Sequence, residues 1–76
     1  MKTDAEWQAD VKGMLRAEMT RRGVTYEQLA AKLADLGVKV DPHVLRNKVA
    51  RGGFSAVFFV QCLKAIGCTA IRLDPT

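Results

Sequence analysis

Hydrophobic residues recur every three or four positions along most of the chain, the spacing that places side chains on one face of an α-helix. In the first such stretch the apolar stripe consists of Trp7, Val11, Met14, Leu15 and Met19. A capping-box pattern from Thr3 to Glu6 begins this stretch, and Gly23 ends it. The pattern predicts a first helix that reaches about Arg22 and buries Trp7 in the core.

The next two apolar stretches are shorter, and each has its own start and stop signals. Residues 25–28 repeat the capping-box pattern and Gly37 follows, which predicts a second helix over roughly 26–36. An Asp-Pro pair at positions 41–42 opens a third helix, because proline in the first helical turn has no N–H to leave unpaired. That helix is expected over 42–51, and its core side should carry Val44, Leu45 and Val49.

The last third of the chain contains its most apolar segment. Ser55 is a favourable N-cap, and Phe54 is placed to pack on Phe59 as a hydrophobic staple. The helix that follows should end at Gly67 and lie in the core or a subunit interface, since it is apolar on nearly every side. Residues 68–74 then alternate polar and apolar side chains, which predicts a short β-strand; a frayed tail is the other interpretation.

These patterns predict one domain over residues 1–76, mainly α, with four short helices, a central helix-turn-helix and a short C-terminal β-strand. A chain of 76 residues, 49% of them hydrophobic, builds only a small core, and small cores are often completed by a partner subunit. No stretch reaches the roughly 20 apolar residues of a membrane span. Acids near the start, where a signal peptide is apolar, favour a cytoplasmic protein.

The charged residues are distributed unevenly between the two halves. Residues 1–41 hold seven basic and seven acidic residues, whereas residues 42–76 hold five basic residues and one acid and so carry the net charge of +4. One-sided charge of this kind is typical of a surface that binds a polyanion, and nucleic acid is favoured over an acidic membrane or protein. A solvated basic face that maintains solubility is the alternative.

The outward face of the third helix carries side chains suited to reading DNA bases: His43, Arg46, Asn47 and Ala50. Arginine can make a paired contact with guanine and asparagine with adenine, while alanine leaves room for a thymine methyl group. His43 has no nucleophile or carboxylate at catalytic spacing, so no enzyme activity is expected; it either contacts DNA or is an exposed bystander. No small-molecule ligand is indicated.

Candidate phosphate contacts lie around this helix, at the starts of the second and fourth helices and on nearby basic residues: Thr25, Tyr26, Gln28, Lys32, Lys39, Lys48, Arg51, Gly53 and Ser55. Free N–H groups at a helix start favour anions. Tyr26 either donates to a phosphate or packs against its own helix. Cys62 and Cys68 have no second pair at metal-ligand spacing, so neither a metal nor a cofactor is expected, and Cys62 is interpreted as a core residue.

Two families share motifs with this sequence. The segment 25–30, the turn at Gly37 and the Arg51-Gly52 pair resemble the phage-repressor (lambda-repressor-like, or XRE) helix-turn-helix family. Over residues 7–67 the chain more closely resembles the bacterial domain-of-unknown-function 6471 family, through the motifs Leu45-Arg46-Asn47-Lys48, Arg51-Gly52-Gly53-Phe54-Ser55, Gln61-Cys62-Leu63 and Ala65-Ile66-Gly67. The first resemblance implies packed short helices that bind duplex DNA, with Tyr26 replacing the phosphate-binding glutamine of that family.

The expected function is therefore sequence-specific binding of double-stranded DNA by a nucleoid-associated transcriptional regulator, with the third helix, 42–51, in the major groove. A homodimer is expected, because an unpaired strand needs a second copy to share its backbone hydrogen bonds. The residues expected at the dimer interface are Phe58, Phe59, Ile71 and Leu73. The alternative is a protein-interaction module on the same fold that docks a partner through Phe58, Phe59 and Ile71 instead of DNA.

Overall fold

Four α-helices joined by short connections make up the computed structural model, which describes residues 1–73. They are α1 (Asp4–Arg21), α2 (Tyr26–Asp35), α3 (Pro42–Arg51) and α4 (Ala56–Ala65). The predicted mainly α architecture and the four helices are confirmed. The ends of α1, α2 and α4 lie one or two residues before the predicted stops.

The hydrogen bonds that begin the helices are those that the sequence predicts. The Thr3 hydroxyl accepts from the Glu6 amide at 3.2 Å, and the Glu6 carboxylate accepts from the Thr3 amide at 2.9 Å. Thr25 and Gln28 form the same reciprocal pair at 3.1 and 2.9 Å. The Asp41 carboxylate accepts from the amide of residue 43 at 2.8 Å, so side chains satisfy N–H groups that the helices leave unpaired.

The core lies where α2 packs against α3 and α4, and where α1 packs against the same two helices. Its fully buried side chains are Leu15, Leu29, Leu33, Leu45, Val49 and Cys62. Phe54 covers the start of α4, with its ring centroid 5.9 Å from that of Phe58 and 6.0 Å from that of Phe59. The predicted staple and the core position of Cys62 are both confirmed.

Two apolar residues assigned to the core are exposed instead. Trp7 is 56% exposed because it lies near the start of α1, in a segment, residues 1–9, that is exposed throughout. The Lys2 ammonium lies 4.6 Å from the centroid of its ring. Val44 is 54% exposed, since the buried stripe of α3 follows Leu45 and Val49, four residues apart, and Val44 lies about 100° away on the helix. Both predictions of burial are wrong.

The predicted C-terminal strand is also wrong, because no β-strand occurs among residues 1–73. The Cys68 amide donates to the Leu63 carbonyl at 2.9 Å and closes α4, and residues 69–72 then follow an irregular path. Ile71 packs partly buried against the core while its neighbours face solvent, which produces alternation without a neighbouring strand to share hydrogen bonds. Asp74, the last residue of the predicted strand, lies outside the described residues.

The C-terminal end of α3 is held closely against α1. Gly52 follows α3 with φ +72°, and a Cβ atom there would lie 2.7 Å from the Gln8 carbonyl oxygen. The Lys12 ammonium donates to the Ala50 carbonyl at 3.2 Å, which satisfies one of the terminal carbonyls of α3. These contacts fix the position of α3 relative to the first half of α1.

Among residues 1–73, no helix combines the length and the apolar character that crossing a bilayer requires.

Candidate nucleic-acid interface

Helix α3 has one fully buried face and one exposed polar face. Leu45 and Val49 are fully buried against the other helices. The four predicted base-contact residues, at successive helical spacings of three, one and three, are all exposed: His43, Arg46, Asn47 and Ala50. The structure therefore brings these four side chains together on one accessible surface, which we call the α3 face.

Arg46 does not extend freely from the α3 face. Its Nη2 atom lies 3.4 Å from the Glu27 Oε1 atom, and its guanidinium carbon lies 5.5 Å from the centroid of the Tyr26 ring. Both partners belong to the first turn of α2, so the ion pair and the ring contact connect the two helices. The side chains of Arg46 and Glu27 are 57% and 64% exposed, and an ion pair at that exposure contributes at most about 1 kcal/mol.

The start of α2 is arranged so that its capping groups retain donors. The oxygen atoms of Thr25 and Gln28 are used as acceptors in the capping box. The hydroxyl hydrogen of Thr25 and the amide hydrogens of Gln28 can therefore be offered to an anion outside the helix. Tyr26, between them, packs partly against the core and also contacts Arg46.

Lys48 connects α3 to the start of α4. The Lys48 ammonium lies 4.4 Å from the centroid of the Phe58 ring, in the first turn of α4. Ser55 accepts from the Phe58 amide at 3.1 Å, and Gly53 and Arg51 are exposed. Lys48 is thus close to a helix N-terminus, where N–H groups favour an anion.

Lys32 and Lys39 are both exposed. Lys32 lies in the last turn of α2, and Lys39 lies in the connection from α2 to α3. Within the described residues, no hydrogen bond or ion pair joins either lysine to the α3 face. The two lysines lie at the end of α2 and beyond it, whereas Thr25, Tyr26 and Gln28 lie at its start.

Two basic residues of α1 that the sequence reasoning missed lie beside the α3 face. Arg16 lines a shallow depression of about 330 Å³ together with Tyr26, Glu27 and Arg46. Lys12 reaches the carbonyl of Ala50 at the end of α3. The four-residue spacing of Lys12 and Arg16 places both on one side of α1, but only the packing of α1 on α3 shows which surface they join.

Arg21 and Arg22, at the end of α1, share one acidic partner. Glu18 is buried, forms ion pairs with both arginines, and has its carboxylate 2.5 Å from Arg22 Nη1. The hydrogen bond from Arg22 lowers the pKa of Glu18 from its ordinary value, and the charge of Arg21 acts in the same direction. The predicted Glu18–Arg22 pair is confirmed, and the single carboxylate offsets one of the two arginine charges.

An apolar groove of about 680 Å³ runs along α4 and the C-terminal segment. Its apolar lining includes Leu36, Phe59, Val60, Leu63 and Ile71. Of the residues predicted at a dimer interface, Phe59 and Ile71 line the groove and are half-buried, while Leu73 is exposed. Phe58 is buried in the core of the monomer, and this burial leaves little of its side chain for contact with a second chain.

Over residues 1–73, no group of three or more His, Cys, Asp or Glu side chains is arranged to hold a metal ion. Both cysteines are free thiols and are buried.

The sequence model of one family matches residues 7–71 of the chain, and that family is described as a domain of unknown function (DUF6471). No curated protein and no solved structure matches the chain.

Proposed function

The chain belongs to the DUF6471 family, and from the residues of its α3 face we propose that it is a DNA-binding transcriptional regulator of the phage-repressor-like helix-turn-helix kind. It binds double-stranded DNA sequence-specifically, with α3 in the major groove, and acts as a homodimer. The observation that carries the proposal is the α3 face itself, which is exposed, polar and free of acidic residues. A fully buried apolar stripe on the opposite side of α3 holds this face outward.

The side chains of the α3 face have distinct roles in this proposal. Arg46 donates two N–H groups to guanine, and Asn47 makes a paired contact with adenine. His43, near the start of α3, contacts a base edge or a nearby phosphate. Ala50 allows the helix to approach the floor of the groove and can contact a thymine methyl group. Base identity is therefore read by residues on successive turns of one helix.

Contacts with phosphates hold α3 in register with the bases, and they come from the elements before and after α3 in the chain. The first turn of α2 contributes Thr25, Tyr26 and Gln28, and the start of α4 contributes Gly53 and Ser55. The cations in this set are Lys48 and Arg51, and the proposal includes Lys12 and Arg16 of α1 because they lie beside the α3 face. Lys32 and Lys39 act only if the duplex extends along the connection between α2 and α3.

The homodimer proposal rests on apolar surface that the monomer leaves exposed. Val57 and Val60 of α4 are 69% and 48% exposed, and Leu36 at the end of α2 is also exposed beside the groove. Pairing of two copies through this surface would bury it. A two-fold axis there would have to separate two α3 helices by about 34 Å, one turn of duplex, for both to enter successive major grooves.

A salt titration tests whether DNA is the partner. A random-sequence 20-base-pair duplex is titrated with the protein at several salt concentrations, and duplexes are enriched from a randomised pool. If each subunit of the dimer neutralises about three phosphates, log affinity should fall with log salt at a slope of about −5. A slope near zero contradicts DNA binding.

Replacement of Arg46 tests base reading separately from phosphate binding. Arg46→Ala should lose about 1–3 kcal/mol of binding free energy on the enriched duplex and relax the preference at one base pair. Lys2→Ala is the matched control, since Lys2 is an exposed cation with an acidic partner, as Arg46 is, and lines neither the depression beside Arg46 nor the apolar groove. Equal losses of Arg46→Ala on enriched and random duplexes would show that Arg46 reads no base.

A protein-interaction module is the second candidate, and the apolar groove is the observation that favours it. Half-buried Phe59 and Ile71 and exposed Val60 could receive an apolar segment of a partner. Such docking depends on apolar burial and changes little with salt, so a protein that binds a partner but not duplex DNA would support this candidate.

A further inference from the structure

We propose that Glu27 is a specificity-determining residue that positions Arg46, holding it for contact with a base and disfavouring its use on phosphate. The inference rests on the proposed DNA-binding function and deepens it. It concerns the only ion pair that joins α2 to α3 among the described residues.

The guanidinium of Arg46 is bounded on two sides by consecutive residues of α2. The Glu27 carboxylate approaches it at the Nη2 atom, 3.4 Å away, and the Tyr26 ring lies 5.5 Å from its central carbon. A long arginine side chain otherwise samples many rotamers and loses that freedom when it binds. Contacts that restrict it in the free protein reduce this entropic cost for the geometry that they favour.

The chemistry of guanidinium allows Glu27 and a base to bind Arg46 together. Arginine has five N–H donors, and the contact with Glu27 involves only the Nη2 side. The remaining donors can still approach guanine O6 and N7, which need two. A phosphate in the same place would bring its negative charge beside the Glu27 carboxylate, and like charges this close repel. Glu27 therefore disfavours contact of Arg46 with a DNA phosphate more than contact of Arg46 with a base.

A carboxylate in the first turn of a helix also has a local role, because it interacts favourably with the helix dipole. Glu27 meets that description, so the test must separate stabilisation of α2 from an action on Arg46. The control is Asp35→Asn, which makes the same charge change at the other end of α2, at an acid with no ion pair among the described residues.

The first measurement compares Glu27→Gln with Asp35→Asn on enriched and random duplexes. Glu27→Gln should bind the random duplex roughly two- to fivefold more tightly, the range of a surface charge interaction, without an equal gain on the enriched duplex. The ratio of the affinity for the enriched duplex to the affinity for the random duplex should therefore fall. Asp35→Asn should change both affinities equally. A Glu27→Gln ratio that matches the Asp35→Asn ratio overturns the inference.

The second measurement asks whether Glu27 acts through Arg46. Enrichment from a randomised pool should show weaker preference with Glu27→Gln at the base pair that Arg46→Ala relaxes. In the Arg46→Ala background, Glu27→Gln should change preference at no base pair. A change of the same size in both backgrounds would show that Glu27 acts independently of Arg46.

The free protein gives a result that does not depend on DNA. The NMR signal of the Arg46 guanidinium N–H should shift in Glu27→Gln and stay unchanged in Asp35→Asn. An unchanged signal in Glu27→Gln overturns the positioning role, even if the wild-type protein binds DNA. If the signal shifts but wild-type protein binds no duplex, the proposed function fails while the contact between Glu27 and Arg46 stands, and the specificity role falls with the function.

Discussion

Glu18 and Cys62 are both buried ionisable side chains, but their surroundings favour opposite charge states. Glu18 stays charged because hydrogen bonds and charge from Arg22 and Arg21 lower its pKa. Cys62 has no comparable partner, and burial raises the pKa of its thiol to about 12, although the charge of Lys48 acts in the other direction. A buried carboxyl group stays ionised when cations lie beside it, whereas a buried thiol without such partners stays protonated and packs as an apolar group.

The pKa of Cys62 leads to a prediction about its reactivity. The thiolate is the reactive form, so native Cys62 should be nearly inert to a maleimide at pH 8 and should react only when the protein unfolds. Labelling of a Cys68→Ser variant, with and without urea, measures this reactivity. Cys62→Ser reports Cys68 alone as the control, and rapid labelling of Cys62 in the native protein would contradict the prediction.

The lowered pKa of Glu18 leads to a pH dependence of stability. Because the folded-state pKa lies below the ordinary value of 4.5, the stabilisation is complete above about pH 4.5 and is lost as pH falls through the folded-state pKa. The thermal midpoint of the wild type should therefore fall more steeply than that of Glu18→Gln between pH 5 and pH 3. Asp35→Asn should follow the wild type, and a Glu18→Gln midpoint that falls as steeply as the wild type would refute this role.

At the scale of elements, the position of α3 depends on its two neighbours in the chain and on α1. Contacts from Arg46 and Lys48 connect it to the first turns of α2 and α4. Gly52 lets the chain leave α3 in a left-handed conformation while the Gln8 carbonyl lies close by. A helix held at both ends by packing presents its exposed face in one orientation, as a recognition helix requires.

Two glycine substitutions separate backbone strain from close packing. Gly37 has φ +84° and open space around it, so Gly37→Ala should cost only the left-handed strain, about 1–2 kcal/mol. Gly52→Ala adds a clash with the Gln8 carbonyl oxygen and should cost about 2–5 kcal/mol. Urea unfolding of both variants gives these free energies. Equal losses would mean that α1 and the end of α3 are not in close contact.

The whole molecule carries two surfaces with different chemistry. One contains the α3 face and the cations around it, and the other is the apolar surface along α4, the end of α2 and the C-terminal segment. In the proposed function the first surface binds DNA and the second pairs two copies. A chain of 76 residues gains stability from such pairing, because a small core leaves much apolar surface exposed.

Substitution on α4 tests the proposed pairing of two copies. Val60 is half-exposed in the monomer, so Val60→Lys should fold but weaken dimerisation tenfold or more, since burial of a valine is worth about 1.5–3 kcal/mol. Ala5→Lys, at the exposed start of α1, makes the same charge change as a control. Sedimentation analysis measures the dimer, and a Val60→Lys protein as dimeric as Ala5→Lys would exclude this surface as the interface.

The sequence by itself determined the four helices, their caps and the outward face of α3. These features depend on interactions within four residues along the chain, such as the capping boxes at Thr3 and Thr25 and the buried pair Leu45 and Val49. Local spacing contains that information, because the period of an α-helix decides which side chains share a face. The Phe54 staple is local in the same sense.

Only the tertiary structure decided which apolar residues are buried and which charges meet. Trp7 and Val44 have apolar spacing but lie where no helix covers them, and the alternation around Ile71 reflects one side chain packed on the core. The contacts of Arg46 with Glu27 and of Lys12 with Ala50 join residues 19 and 38 positions apart. Such contacts depend on how the helices cross, and the crossing is set by the packing of all four helices together, which no local pattern contains.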